Sequence, residues 1–72
     1  MSPPDTIDQK WVYVKMLEVY ACQTDDEKAH ALEDELHQAV LKAIADGTCE
    51  DPRMCAAQAL KTLEIPFARW CA

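Results

Sequence analysis

A run of apolar residues spaced three and four apart constrains the fold of this chain more than any other feature. The run consists of Ala29, Leu32, Leu36, Ala39, Val40, Ala43 and Ile44. This spacing places the side chains on one face of an α-helix. The preceding residues match a capping box, with Thr24 as N-cap and Glu27 reaching back to it. Gly47, the only glycine, suits the position that follows a helix. The pattern predicts a helix over 24–46.

An earlier helix is predicted over 7–21, with Asp5 or Thr6 as its N-cap. Its apolar residues form three lines: Ile7, Trp11, Val14 and Ala21; Tyr13, Leu17 and Tyr20; and Val12, Met16 and Val19. A surface helix normally has one apolar stripe a little over 100° wide. We expect the first line to enter the core and Leu17 to bridge to the next.

A third helix is predicted over 52–64, with Asp51 as N-cap and Pro52 at the first helical position. Its apolar stripe consists of Cys55, Ala56, Ala59, Leu60 and Leu63. The helix should stop before Pro66, because a proline disfavours the α conformation in the residue before it. A short tail, 65–72, follows.

These segments predict an all-α fold and a single helical domain over 1–72. Short connections between helices favour antiparallel neighbours, so we expect an up-down-up three-helix bundle. A chain of 72 residues is below the size at which a core alone gives comfortable stability. Oligomerisation could complete the core, and the alternative fold is a helical hairpin that dimerises.

Composition excludes several classes of function. The formal net charge of −6 argues against binding a nucleic-acid backbone, which requires clustered Lys and Arg. No apolar run approaches the roughly 18 residues that a membrane span needs. The first residues contain neither a basic region nor an apolar segment, so we expect no signal peptide and a cytoplasmic location. Disulfide bonds would instead indicate an exported protein.

Four cysteines are present, at positions 22, 49, 55 and 71. In an up-down-up bundle Cys22 and Cys71 lie at one pole, and Cys49 and Cys55 lie at the other. If the thiols are oxidised, the predicted pairs are therefore Cys22–Cys71 and Cys49–Cys55. The alternative interpretation is that the thiols are reduced. The position of Cys55 on an apolar stripe is consistent with this alternative. The spacing of the cysteines and histidines does not match a zinc site, so we expect no bound metal.

Catalysis is not indicated by any motif. His30 and His37 lie two turns apart on one helix face, with Glu33 and Asp34 between them, and we expect a solvated polar face. A nucleophilic cysteine would need a base held beside it, and a phosphate loop would need more than one glycine. We expect neither an enzyme nor a cofactor.

Aromatic residues concentrate in the first helix and in the tail. Two neighbouring helices can cover about two of the three apolar lines of the first helix, and a surplus of exposed aromatic and Met surface marks protein interfaces. We expect the contact residues to be Tyr13, Met16, Tyr20 and Trp70. The predicted function is a non-catalytic interaction or regulatory module, such as an accessory subunit or an inhibitor, which binds a protein partner or itself. The alternative is a disulfide-stapled exported protein, such as a secreted effector.

Overall fold

A computed structural model describes residues 6–67. Three α-helices occupy this part of the chain: α1, Gln9–Ala21; α2, Asp26–Asp46; and α3, Pro52–Leu60, which a 3₁₀ helix, Lys61–Glu64, continues. The described residues are 76% helical, form no strand and pack into a small three-helix bundle, which confirms the predicted all-α class.

The order of the helices is up-down-up, as two core clusters show. The first cluster joins the start of α1, the end of α2 and the start of α3, and the second joins the end of α1, the start of α2 and the residues after α3. Buried members of the first are Ile7, Val12, Leu36, Val40, Ala43, Cys55 and Ala59. Those of the second are Val19, Ala29 and Ile65. Met16 packs against both clusters, so α1 lies along the whole core.

The start of α1 differs from the prediction. Asp8 is the N-cap, because its carboxylate accepts a hydrogen bond from the backbone N–H of Trp11 at 2.9 Å. Ile7 is not helical. Its N–H donates to the carbonyl of Thr48 at 3.0 Å, and its carbonyl accepts from the N–H of Glu50 at 2.7 Å. These two bonds tie the chain before α1 to the loop between α2 and α3.

The start of α2 is also corrected. Asp25, rather than Thr24, is the N-cap, and its carboxylate accepts from the N–H of Lys28 at 3.2 Å. Aspartate is at least as good a cap as threonine, and its charge also complements the helix dipole. The predicted end is confirmed, since Gly47 adopts a left-handed conformation with φ of 76° and its N–H bonds to the last turn.

The ends of α3 follow the predicted signals. Asp51 caps the helix, accepting from the N–H of Met54 at 3.3 Å. It is the one non-glycine residue of the described chain with positive φ, 54°, and Asp tolerates this region better than most residues. Ile65 is extended, with ψ of 124°, immediately before Pro66, as the proline requires.

Candidate interaction surface

The outward side of α1 exposes four large apolar side chains, which we call the α1 surface. They are Tyr13, Val14, Leu17 and Tyr20, with exposed fractions of 45, 47, 44 and 54%. Tyr13, Leu17 and Tyr20 follow a spacing of four and three residues, so they lie above one another along the helix. The result is a continuous apolar ridge with an aromatic ring near each end.

The inward side of α1 follows the predicted line only at the start of that line, where Ile7 is buried and Trp11 packs against the first core cluster. Val12 and Val19 are completely buried, whereas Val14 and Ala21, which were expected in the core, are exposed. The choice was open because α1 is apolar around most of its circumference. Packing against α2 and α3 selects the side with branched Val residues and the flexible Met16, which fill the space between two closely approaching helices.

Of the four predicted contact residues, two lie on the α1 surface and one faces the core. Tyr13 and Tyr20 belong to the α1 surface. Met16 is half-buried between the two core clusters and faces inward, so the surface defined above does not include it. Leu17 was not predicted as a contact residue, although its position between the two tyrosines is visible in the sequence. Trp70 lies outside the described residues.

Polar groups of α1 border the α1 surface on one side. Lys15 forms an ion pair with Glu18 at 3.2 Å, and its ammonium also lies 5.5 Å from the centre of the Trp11 ring. Such a cation–π contact covers aromatic surface while the charge stays in water. Trp11 is thus shared between the core and Lys15, which leaves the tyrosines as the exposed aromatic groups of this helix.

A second apolar surface lies between α2 and α3, on residues that do not include any from α1. It is an open groove of about 220 Å³, which we call the α2–α3 groove. Its lining consists of His37, Val40, Leu41, Ile44, Ala56, Ala59 and Leu60. Leu41 and Leu60 are 67 and 59% exposed at its sides. The small residues of α3 form the floor, so the shape is concave where the α1 surface is convex.

Three residues that were expected in the core are exposed instead. Ile44 and Leu60 line the α2–α3 groove, and Leu63, which follows α3, is 56% exposed. The α3 helix is only nine residues long, and the 3₁₀ turn that follows it changes the direction of the side chains. The periodicity of an α-helix therefore does not apply at Leu63.

His37 is not part of a solvated face, which corrects another expectation. Its Nε2–H donates to the hydroxyl of Thr62 at 2.9 Å and lies 3.2 Å from the carbonyl oxygen of Ala59. The Thr62 hydroxyl in turn donates to the same carbonyl at 2.9 Å. Because the Thr62 hydroxyl gives its hydrogen to that carbonyl, it can only accept from His37, and this assigns a hydrogen to Nε2. This network joins α2 to the end of α3 where the helix tightens.

The two acidic residues between the histidines, Glu33 and Asp34, differ in their exposure to solvent. Glu33 is only 4% exposed, so a carboxylate that was expected in solvent is covered by the fold. Asp34 remains exposed and lies 3.7 Å from His30. The polar face of α2 is thus split between an exposed part and a part that holds the bundle together.

Two thiols meet at the pole where α3 begins. Cys55 is fully buried, and its thiol donates to the carbonyl of Glu50 at 3.2 Å. The Cys49 thiol donates to the same carbonyl at 3.8 Å. Burial, as the largest cause, and the neighbouring Cys49, Asp51 and Asp8 together raise the pKa of Cys55 to about 12.

Cys22, Cys49 and Cys55 are free thiols in the structure, so the Cys49–Cys55 pairing stays a prediction. Cys22 follows α1 at the opposite pole and is half-buried as a free thiol. Cys71, its predicted partner, lies outside the described residues, so Cys22–Cys71 stays a prediction. Within residues 6–67, no group of three or more Cys, His, Asp or Glu side chains is arranged to hold a metal ion.

No helix among the described residues is long and apolar enough to cross a membrane. In comparisons with known proteins, no family model, no curated protein and no solved structure matches the chain.

Proposed function

We propose that the protein is a non-catalytic interaction module whose contact surface is the α1 surface and whose binding partner is a second copy of the chain. The observation that carries the proposal is the exposure of Tyr13, Leu17 and Tyr20 at 44–54% on one side of a helix whose other side is fully used by the core. Aromatic residues at such positions are typical anchors of protein interfaces.

The α1 surface is energetically unfavourable in water. Each Å² of apolar area that stays in water lacks about 25 cal/mol of the stabilising free energy that burial would provide. The bundle already uses Val12 and Val19 to fill its core, so a rotation of α1 that hid the tyrosines would expose these valines. Association covers the ridge without such an exchange. Tyrosine also suits an interface because its ring is apolar and its hydroxyl can remain hydrated.

A second copy is a suitable partner because the chain carries both a ridge and a groove. The α1 surface of one copy would bind the α2–α3 groove of another, since the first is convex and the second concave. A head-to-tail contact of this kind joins two different surfaces and can continue from copy to copy.

Sedimentation equilibrium over a range of concentrations tests the proposal. The wild type is expected to associate, and the double variant Tyr13→Ala/Tyr20→Ala is expected to remain folded and monomeric. The matched control is Asp34→Lys/Glu35→Lys on the exposed acidic side of α2, which should associate as the wild type does. An apolar contact should also weaken only slightly in high salt.

A mixing experiment distinguishes the head-to-tail contact from a symmetric one. The groove variant Leu41→Asp/Leu60→Asp should be monomeric alone, like the tyrosine variant. A mixture of the two variants retains one intact ridge and one intact groove, so it should form a 1:1 heterodimer. A wild type that stays monomeric, or tyrosine variants that associate normally while the charge-reversed control does not, contradicts the proposal.

The second candidate is a disulfide-stapled exported protein, and the meeting of Cys49 and Cys55 on one carbonyl favours it. This candidate requires that the protein, isolated without reductant, contains no free thiols. A full complement of free thiols instead supports a reduced protein in the cytoplasm. Thiol titration under denaturing conditions distinguishes the two.

A further inference from the structure

The geometry at the start of α3 points to a modification site: we propose that Cys49 and Cys55 form an oxidisable dithiol that peroxide converts into a disulfide, with Cys49 reacting first and Cys55 resolving. This inference does not depend on the α1 surface, and it adds to the predicted pairing an order of reaction and a structural consequence.

The two thiols are held together by the fold. Five residues separate them in the sequence, and they converge on the carbonyl of Glu50, to which they donate at 3.8 and 3.2 Å. Asp51, whose left-handed conformation turns the chain into α3, folds the intervening residues back. A disulfide requires its two Cα atoms within about 7 Å, and this tight turn followed by a helical turn brings Cys49 and Cys55 close.

The difference in burial between the two thiols determines which of them is oxidised first. Cys55 is completely buried, and it remains protonated at neutral pH because its pKa is about 12. A dissolved oxidant does not reach a thiol that is completely covered by the fold, whereas a neighbouring sulfur inside the same site does. Cys49 is only half-buried, in the loop before α3, so it is the more accessible of the two residues. Cys49 is therefore the sulfur that meets the oxidant.

The reaction balances with hydrogen peroxide as the oxidant. The Cys49 thiolate attacks one peroxide oxygen, the O–O bond breaks, and the leaving hydroxide takes up the proton that Cys49 lost, giving water and a sulfenic acid. The Cys55 sulfur then attacks the Cys49 sulfur. The S–S bond forms, the S–O bond breaks, and the hydroxyl group leaves as water with the Cys55 proton. Two thiols are oxidised and one peroxide is reduced to two waters.

The structural consequence concerns the loop that anchors the start of α1. The disulfide closes a ring around Glu50, whose N–H donates to the carbonyl of Ile7 at 2.7 Å. Closing the ring restricts the loop, so the bond between Glu50 and Ile7 should open less often. Oxidation would thus fasten the start of α1 to the other two helices.

Tryptic mapping of the full chain without reduction tests the pairing, because cleavage after Lys42, Arg53 and Lys61 places the two cysteines in separate peptides, 43–53 and 54–61. Cys22 falls in 16–28 and Cys71 in 70–72, so every pairing gives a distinct product. The reduced protein treated with hydrogen peroxide should yield 43–53 linked to 54–61, and dithiothreitol should separate them. Cys49 or Cys55 linked instead to Cys22 or Cys71 overturns the inference.

The order is tested with dimedone, which traps sulfenic acids. In Cys55→Ala, peroxide and dimedone should label Cys49. In Cys49→Ser, Cys55 should stay unlabelled, and Cys22→Ser serves as the matched control in which the 43–53 to 54–61 link still forms. Labelling of Cys55 rather than Cys49 overturns the order. Hydrogen exchange at the Glu50 amide should slow several-fold on oxidation, and unchanged exchange there overturns the structural consequence.

Discussion

The sequence indicates which side of α2 is buried, but it does not do so for α1. In α2, Ala29, Leu36, Val40 and Ala43 are buried as their spacing predicts, because charged residues occupy much of the other side. In α1 the apolar residues continue around the helix, and the buried side turned out to be Val12 and Val19 rather than Val14 and Ala21. Periodicity locates a core face only when polar residues exclude the alternatives.

The largest effect is expected in α2, where two leucines differ in environment. Leu36 is 3% exposed and Leu41 is 67% exposed. We expect Leu36→Ala to lower the free energy of unfolding by about 2–5 kcal/mol, since it leaves a cavity in the first core cluster. Leu41→Ala should cost well under 1 kcal/mol. Urea denaturation of both variants checks the pair, and similar losses would show that the buried face of α2 is misassigned.

Two valines of α1, Val12 and Val14, provide the corresponding test for that helix. Val12 is fully buried and Val14 is 47% exposed. Val12→Ala removes two buried methyl groups, for which we expect a loss of about 2 kcal/mol. Val14→Ala should change the free energy of unfolding by less than about 0.5 kcal/mol, as for most surface positions. A larger loss from Val14→Ala in the same denaturant titration would restore the face that the sequence suggested.

The smallest expected effect is at the start of α2, where two adjacent residues compete as N-cap. Asp25→Ala should lower the free energy of unfolding by about 1 kcal/mol, because Asp25 accepts the hydrogen bond from the N–H of Lys28. Thr24→Ala should have almost no effect. Thermal unfolding of the two variants decides between them, and a loss confined to Thr24→Ala would favour the predicted capping box.

The candidate surface was predictable in kind and only partly in detail. The excess of apolar residues in α1 predicted exposed aromatic residues, and Tyr13 and Tyr20 are exposed. Met16 could not be placed, because the side on which it lies depends on how α1 is rotated against two other helices. The α2–α3 groove was missed. Leu41 has a spacing compatible with the apolar face, and only the approach of the helices shows that it lies beside a groove.

The sequence by itself determined the number and order of the helices and most of their ends. These features depend on local physics: Gly47 accepts a left-handed conformation, Pro52 starts a helix without needing its N–H, and Pro66 forces Ile65 to extend. Such preferences act within a few residues of the chain, so a linear pattern contains them.

The tertiary structure alone decided which side of α1 faces the core, that His37 bonds to the end of α3, and that the thiols of Cys49 and Cys55 share one carbonyl. Each depends on groups that are brought together by the packing of separate helices. Alternative rotations of an apolar helix bury similar amounts of surface. The choice among them follows from shape complementarity with α2 and α3, which exists only once the bundle has formed.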